Sequence, residues 1–322
     1  KRSLKAGAEV IVPAVSWETT YYPLHQYGLK LKFVDIDRDT LNFDLDRLAE
    51  AISPATRMIF AVNLLGNPND FDRIRALIGG RDILVIEDNC ESMGARYQGR
   101  QAGTMGVMGS FSAFFSHHIS TMEGGMIVTD DEELHQILLS LRAHGWTRNL
   151  PKQNLVCDAK SDDPFRESFR FVLPGYNVRP LELSGAIGLK QLEKLPGLVR
   201  MRRQNASRFL RMMADYPQFR VQKEIGESSW FGFSLTVEED APFGRKEVIG
   251  AFRRRNIEVR PIVAGNFARN EVVRWFNYEV HGELKNADFV DANGFFIGNH
   301  HYALDGAFAL VHDALNELTR RA

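Results

Sequence analysis

Apolar and polar positions follow two rhythms along this chain. Between residues 9 and 128, short runs rich in Val, Ile and Phe are separated by amphipathic stretches. The runs at 9–13, 32–35, 58–63, 83–87, 109–115 and 125–129 read as strands, and the stretches at 19–27, 45–51 and 71–78 as helices. Strands that alternate with helices predict an α/β sandwich on a mostly parallel sheet. Ligands collect outside the carboxyl ends of such strands, so residues just after each strand are the first candidates for chemistry. Further along, 132–144 reads as helix and 151–164 as a polar surface loop. The stretch 181–215 reads as helix with a break near Pro196, and its charged face (Arg200, Arg202, Arg203, Arg208) suits a connector between domains. Strand-like 230–236 and 257–261 around an amphipathic helix at 245–255 predict a smaller α+β domain. The expected division is therefore 1–195 and 196–322, with no internal repeat.

Composition narrows the function. Lys plus Arg number 40 against 41 Asp plus Glu, so no overall field recruits nucleic acid or an anionic membrane. Cys90 and Cys157 are too few for a disulfide framework or for an iron–sulfur cluster, which points to a reducing cytoplasm. No apolar run approaches a membrane span, and the first residues given lack the apolar stretch expected of a signal peptide. There is no initiator Met and a strand-like run follows at once, so the chain is expected to begin partway into a domain.

The run Leu84-Val85-Ile86-Glu87-Asp88-Asn89-Cys90-Glu91-Ser92 ends an apolar strand on an acid. Downstream lies Ser112-Ala113-Phe114-Phe115-Ser116-His117-His118-Ile119-Ser120-Thr121-Met122-Glu123-Gly124-Gly125. This pattern resembles the DegT/DnrJ/EryC1/StrS sugar aminotransferases, fold-type I pyridoxal-phosphate enzymes. Their pattern is an acid-ended strand, a Phe-Ser run, a lysine and Glu-Gly-Gly. Aligned on Glu123-Gly124-Gly125, the lysine position holds His117. Within the family the resemblance is closest to the lysine-less nucleotide-sugar 3-dehydratases. Further matching runs include Val12-Pro13-Ala14-Val15-Ser16-Trp17, Arg142-Ala143-His144-Gly145-Trp146, Gly175-Tyr176-Asn177-Val178-Arg179 and Gly298-Asn299-His300. Family members carry roughly seventy more residues at the amino end, including a Gly-Ser turn that helps hold the cofactor phosphate.

The resemblance implies an αβα sandwich with a smaller C-terminal α+β domain. It also implies non-covalent pyridoxamine or pyridoxal 5'-phosphate in the large domain, and a homodimer with shared active sites. Asp88 takes the place of the carboxylate that pairs with the pyridine nitrogen and raises its pKa. The Ser112 hydroxyl suits the cofactor phosphate, and the flat face of Trp17 suits the pyridine ring. In the family, a polar side chain at the Glu91 position approaches the ring's phenolic oxygen, and Asn177 reaches the neighbour's phosphate. Arg179, Arg148 and Arg260 are candidates for the sugar diphosphate or the glutamate carboxylate, because guanidinium matches such anions in bidentate fashion.

A Schiff base needs a primary amine, which imidazole lacks, so His117 leaves the cofactor unattached. Its ordinary pKa near ~6.5, against ~10.4 for lysine, suits proton transfer at neutral pH. Successive residues of an extended segment face opposite ways, and the alignment selects His117 over His118 for the ring. The resemblance implies removal of the C3 hydroxyl from a GDP-linked 4-keto-6-deoxymannose, with glutamate restoring the amine, in O-antigen sugar synthesis. Three alternatives stand beside it: a CDP-linked 3-dehydrase, which needs an iron–sulfur cluster; an ordinary aminotransferase, which needs a lysine at 117; and a non-catalytic subunit.

Overall fold

The computed structural model describes residues 4–321. Its main strands are β1 Glu9–Pro13, β2 Lys30–Val34, β3 Thr56–Val62, β4 Leu84–Asp88, β5 Met108–Ser112, β6 Gly125–Val128, β7 Phe219–Val221, β8 Gly232–Val237, β9 Tyr278–Val280 and β10 Gly294–Gly298. The helices are α1 Tyr22–Gln26, α2 Leu45–Ala51, α3 Phe71–Ile78, α4 Glu132–Leu141, α5 Pro164–Glu167, α6 Glu182–Met213, α7 Arg245–Arg253, α8 Lys285–Asn293 and α9 Asp305–Arg321.

Seven strands form one sheet in the order β9-β2-β1-β3-β4-β5-β6, with only β6 antiparallel to its neighbour. β1 is apolar at successive positions because both faces are covered. Val10 and Val12 enter one core with Leu31 and Phe33, while Ile11 enters another with Val34, Ile59 and Ile74. Helix starts follow the carboxylates beside them. Asp44 accepts from Asp46 N and Arg47 N, Asp70 from Arg73 N, and Asp131 from Leu134 N. α2 and α3 accordingly begin and end where the pattern predicts.

Several expectations need correction. The helix expected at 19–27 divides into a 3₁₀ turn, Glu18–Thr20, and α1. β5 stops at Ser112 because the Ser112 hydroxyl accepts Phe114 N at 3.2 Å and turns the chain. No strand forms at 257–261; Arg260 makes a single bridge to Phe296. Pro196 does not break α6, which continues across it. The turns that follow are anchored by buried Val199, Arg202, Ala206, Phe209 and Met213, which hold the axis although a proline removes one helical hydrogen bond.

That helix also bears on the division at 195 and 196. α6 crosses the boundary unbroken, and its carboxyl half joins the small core with Phe233, Leu235, Phe252 and Leu315 around the antiparallel sheet β7-β8-β10. The chain then returns. Ile262, Phe267, Val273, Leu284 and Val290 pack into the large core, and β9 pairs with β2. Residues 262–290 thus belong with the large sheet, because their apolar side chains are covered there.

Candidate active site

The carboxyl ends of β1, β3, β4 and β5 meet at Asp88, the last residue of β4. Its Oδ2 accepts from Thr20 Oγ1 at 2.7 Å, and Thr20 Oγ1 lies 2.8 Å from Ser16 Oγ. Its Oδ1 accepts Cys90 N at 3.0 Å. Thr20 and Ser16 are both buried, so this orientation of the carboxylate is fixed from behind. The preceding Glu87 faces the other way and is wholly buried. Backbone N–H groups of Gly103, Met105 and Gly106 donate to it, fastening the 103–106 loop to β4.

Beyond Asp88 the chain turns, and half-buried Glu91 accepts Leu65 N at 2.8 Å. Burial pushes its carboxyl up to about 7; the Leu65 N–H opposes this and the Asp88 charge adds to it. Leu65 itself sits at φ 53, in the left-handed region, followed by Gly66 at φ 96. Only glycine fits at 66, where a Cβ would lie 2.7 Å from Trp230 N. Phe231 N and Ser229 N donate back to Leu65 O and Gly66 O, clamping this turn to the loop before β8. Burial and the neighbouring acids also push the Cys90 thiol up, so it stays protonated.

Both histidines meet the same loop. His117 packs its ring 5.1 Å from the Phe231 ring and 5.9 Å from Phe114. Its Nδ1 is buried with no hydrogen-bond partner among the described residues. Burial lowers its pKa, the Asp88 charge acts to raise it, and Arg202 acts to lower it. His118 turns inward; its Nε2 lies 3.2 Å from Ser229 O, and burial presses its pKa down to about 3. It is therefore neutral at physiological pH and donates that hydrogen bond. His118 is thus buried against the Ser229 carbonyl, while His117 is only half-buried.

The structure gathers Asp88, Glu91 and His117 into one electrostatic neighbourhood and sets Ser112 at the end of the strand beside β4. Trp17 follows β1 on the segment leading to Thr20 and is 53% exposed. Four other candidates stand apart. Asn177 and Arg179 are exposed on the loop before α6, where Asn177 bridges Ala143. Arg148 stacks its guanidinium 3.8 Å over Trp146. Arg260 pairs with Glu258, at 2.7 Å. Pattern reasoning missed Ser16, Thr20, Phe231 and Arg202. A serine or threonine just past a strand was visible in the sequence; the bond to Asp88 was not.

These residues fit a pyridoxal-type group. Asp88 presents a carboxylate held by Thr20, and His117 presents a ring nitrogen without a partner. Ser112 accepts from the backbone and keeps its own proton to donate. A sequence profile of the DegT/DnrJ/EryC1/StrS aminotransferase family matches residues 2–315. The chain belongs to this family. GDP-4-keto-6-deoxy-D-mannose 3-dehydratase of Escherichia coli O55:H7 is 60% identical over 305 residues, which are 94% of this chain and 79% of that protein. A solved structure of the E. coli GDP-4-keto-6-deoxy-D-mannose-3-dehydratase with bound hydrated PLP superposes with TM-score 0.96 at 58% identity, covering 98% of this chain and 81% of that one. Another, with a trapped PLP-glutamate geminal diamine, gives 0.96 at 58% identity over 97% of this chain and 81% of that one. The expected fold, a pyridoxal-phosphate-type α/β sandwich with a smaller C-terminal domain, stands. Among the described residues no helix is long and apolar enough to cross a membrane.

Proposed function

We propose that this chain removes the C3 hydroxyl from GDP-4-keto-6-deoxy-D-mannose, giving GDP-4-keto-3,6-dideoxy-D-mannose, with pyridoxamine phosphate as cofactor and glutamate restoring it. The observation that carries the reading is His117 in the family's lysine position, with a partnerless ring nitrogen beside the Asp88 charge. When bound, the cofactor supplies a primary amine and an electron-withdrawing pyridinium ring. Asp88, oriented by Thr20, would hold the ring nitrogen's proton. Ser112 would donate its hydroxyl to the phosphate, Trp17 would offer its flat face to the ring, and Glu91 would be the polar group for the phenolic oxygen. Lowered by burial, the His117 imidazole is neutral near pH 7 and would accept a proton there; protonated, it would return that proton to the departing hydroxyl. Arg179, Arg148 and Arg260 stay candidates for the anionic ends of the sugar nucleotide and glutamate.

A second copy of the chain completes the site in this reading. The loop that carries Asn177 exposes Phe169, Phe171, Val178 and Leu181, an apolar patch that favours burial against a partner. Two free cysteines support a cytoplasmic home.

The decisive assay is incubation of purified protein with pyridoxamine phosphate, glutamate and the GDP-linked 4-keto sugar. Mass spectrometry is expected to find a sugar nucleotide lacking one oxygen. A product that instead carries a new amino group would make the protein an aminotransferase and end this reading.

A further inference from the structure

Among the arginines of α6, Arg203 pairs with Glu227 and Arg208 with Asp305, both at the surface. Arg202 differs. It is 4% exposed, one of the few buried cations of the molecule, and no carboxylate pairs with it among the described residues. Instead its Nη1 donates to Phe231 O at 3.0 Å and to Asn299 O at 2.7 Å, while its Nε has no partner. Burial of a guanidinium against carbonyls alone is costly, and an ordinary helix-to-loop contact needs only a neutral donor. The cation is therefore the feature that requires a function.

Its two acceptors lead to the histidines. Asn299 accepts from Arg202 through its carbonyl and donates its own amide to Trp230 O at 2.8 Å and to Arg202 O at 3.1 Å. Trp230 lies at φ 49, a left-handed position that a bulky side chain adopts only when its surroundings impose it. The next residue, Phe231, is thus held at its N–H by Leu65 and at its carbonyl by Arg202, and its ring lies against His117 at 5.1 Å and His118 at 5.8 Å.

We infer that Arg202 is a positioning residue for His117. It holds the carbonyl of Phe231, whose ring packs against His117, and it sets a permanent positive charge near the imidazole that opposes the pull of Asp88. The charged groups around His117 are few. Asp88, from the end of β4, favours the protonated ring; Arg202, from α6, opposes it; adjacent His118 is neutral; Glu91 shares the Asp88 loop. Arg202 also acts to lower His118 and His300, as expected for a cation central to all three. Burial brings Arg202 itself to about 10, so it remains charged across the working range.

The catalytic consequence rests on the proposed dehydratase reading, in which neutral His117 is the base. Without the Arg202 charge, Asp88 holds the ring protonated to higher pH. Three variants test this: Arg202→Lys keeps the charge, while Arg202→Gln and Arg202→Met remove it. If one neutral replacement fails to fold, as judged by circular dichroism, the other is used. In Arg202→Gln the His117 imidazole, followed by NMR and assigned by comparison with His117→Asn, is expected to titrate about one pH unit higher than in the parent. The acid limb of kcat is expected to move with it, a loss of about tenfold on that side. Arg202→Lys is expected to restore both. Unchanged His117 titration in the neutral variants, or an equal displacement in Arg202→Lys, overturns the inference. The titration needs no turnover, so a parent protein inactive on the GDP-sugar would remove the functional reading while leaving this coupling to stand or fall separately.

Discussion

His118→Gln should alter how stability depends on pH. His118 is 3% exposed and its pKa is pressed down to about 3 from the ordinary value of 6.5. The unfolded chain takes up a proton as pH falls through about 6.5, and the folded protein does not until about 3. Stability from this group is therefore complete above the upper value and declines as pH falls between the two, at about 1.4 kcal/mol per unit. From pH 7 to pH 5 the loss amounts to about 2 kcal/mol. Glu91 works in the opposite sense. Its folded value is raised to about 7, so its contribution is complete below its ordinary value of 4.5 and is lost as pH rises through 7. The parent's profile between pH 5 and 7 therefore contains opposing slopes, and the variant isolates one. Glutamine keeps an N–H for Ser229 O and cannot titrate. Urea unfolding of cofactor-free parent and variant at pH 7 and pH 5 measures the difference. Relative to the parent, the variant should gain about 2 kcal/mol on going to pH 5. A difference that stays constant with pH would refute the assignment of His118 as a buried neutral donor.

Three further outcomes follow from the site. His117→Lys introduces a primary amine, so the protein should retain cofactor by mass after dialysis and lose deoxygenation; sustained deoxygenation would move the base elsewhere. Thr20→Val leaves Asp88 Oδ2 and Ser16 without a donor or acceptor and should weaken cofactor binding about tenfold by absorbance titration, while Thr20→Ser stays near the parent; equal behaviour of the two would deny Thr20 its orienting role. Gly66→Ala forces a Cβ against Trp230 N at a left-handed position and should destabilise the protein by about 2 kcal/mol or more, read as a lowered Tm; an unchanged Tm would mean the loop relaxes freely.

How far the sequence could be read depended on the range of the interaction. β1, α2 and α3 follow from patterns and caps only a few residues apart, as with Asp44 and Asp70. Asp88, Ser112 and His117 stood out as candidates because their order along the chain matches a known arrangement. Thr20 bonds Asp88 across 68 positions, and His118 meets Ser229 across 111; no local pattern encodes such pairs. β9 escaped notice because three residues at a sheet edge carry too short a rhythm, and its partner β2 lies far upstream. Pro196 misled because proline's cost is local whereas the burial that overrides it comes from the small-domain core.

The exchange of lysine for histidine changes the charge at the site as well as its chemistry. A lysine ammonium at 117 would stand near Asp88 as a competing cation for the carboxylate that the ring nitrogen must use. His117, lowered by burial and by Arg202, puts no such cation there at neutral pH. Among the described residues Asp88 is then held by neutral donors, such as the Thr20 hydroxyl and the Cys90 N–H. In the proposed reading the carboxylate would be left to a protonated pyridine nitrogen, an ion pair that would help an unattached cofactor stay bound. On this argument the buried cation of α6 and the uncharged donors behind Asp88 belong to one arrangement. In that reading one would keep the base neutral, and the others would keep the acid unclaimed.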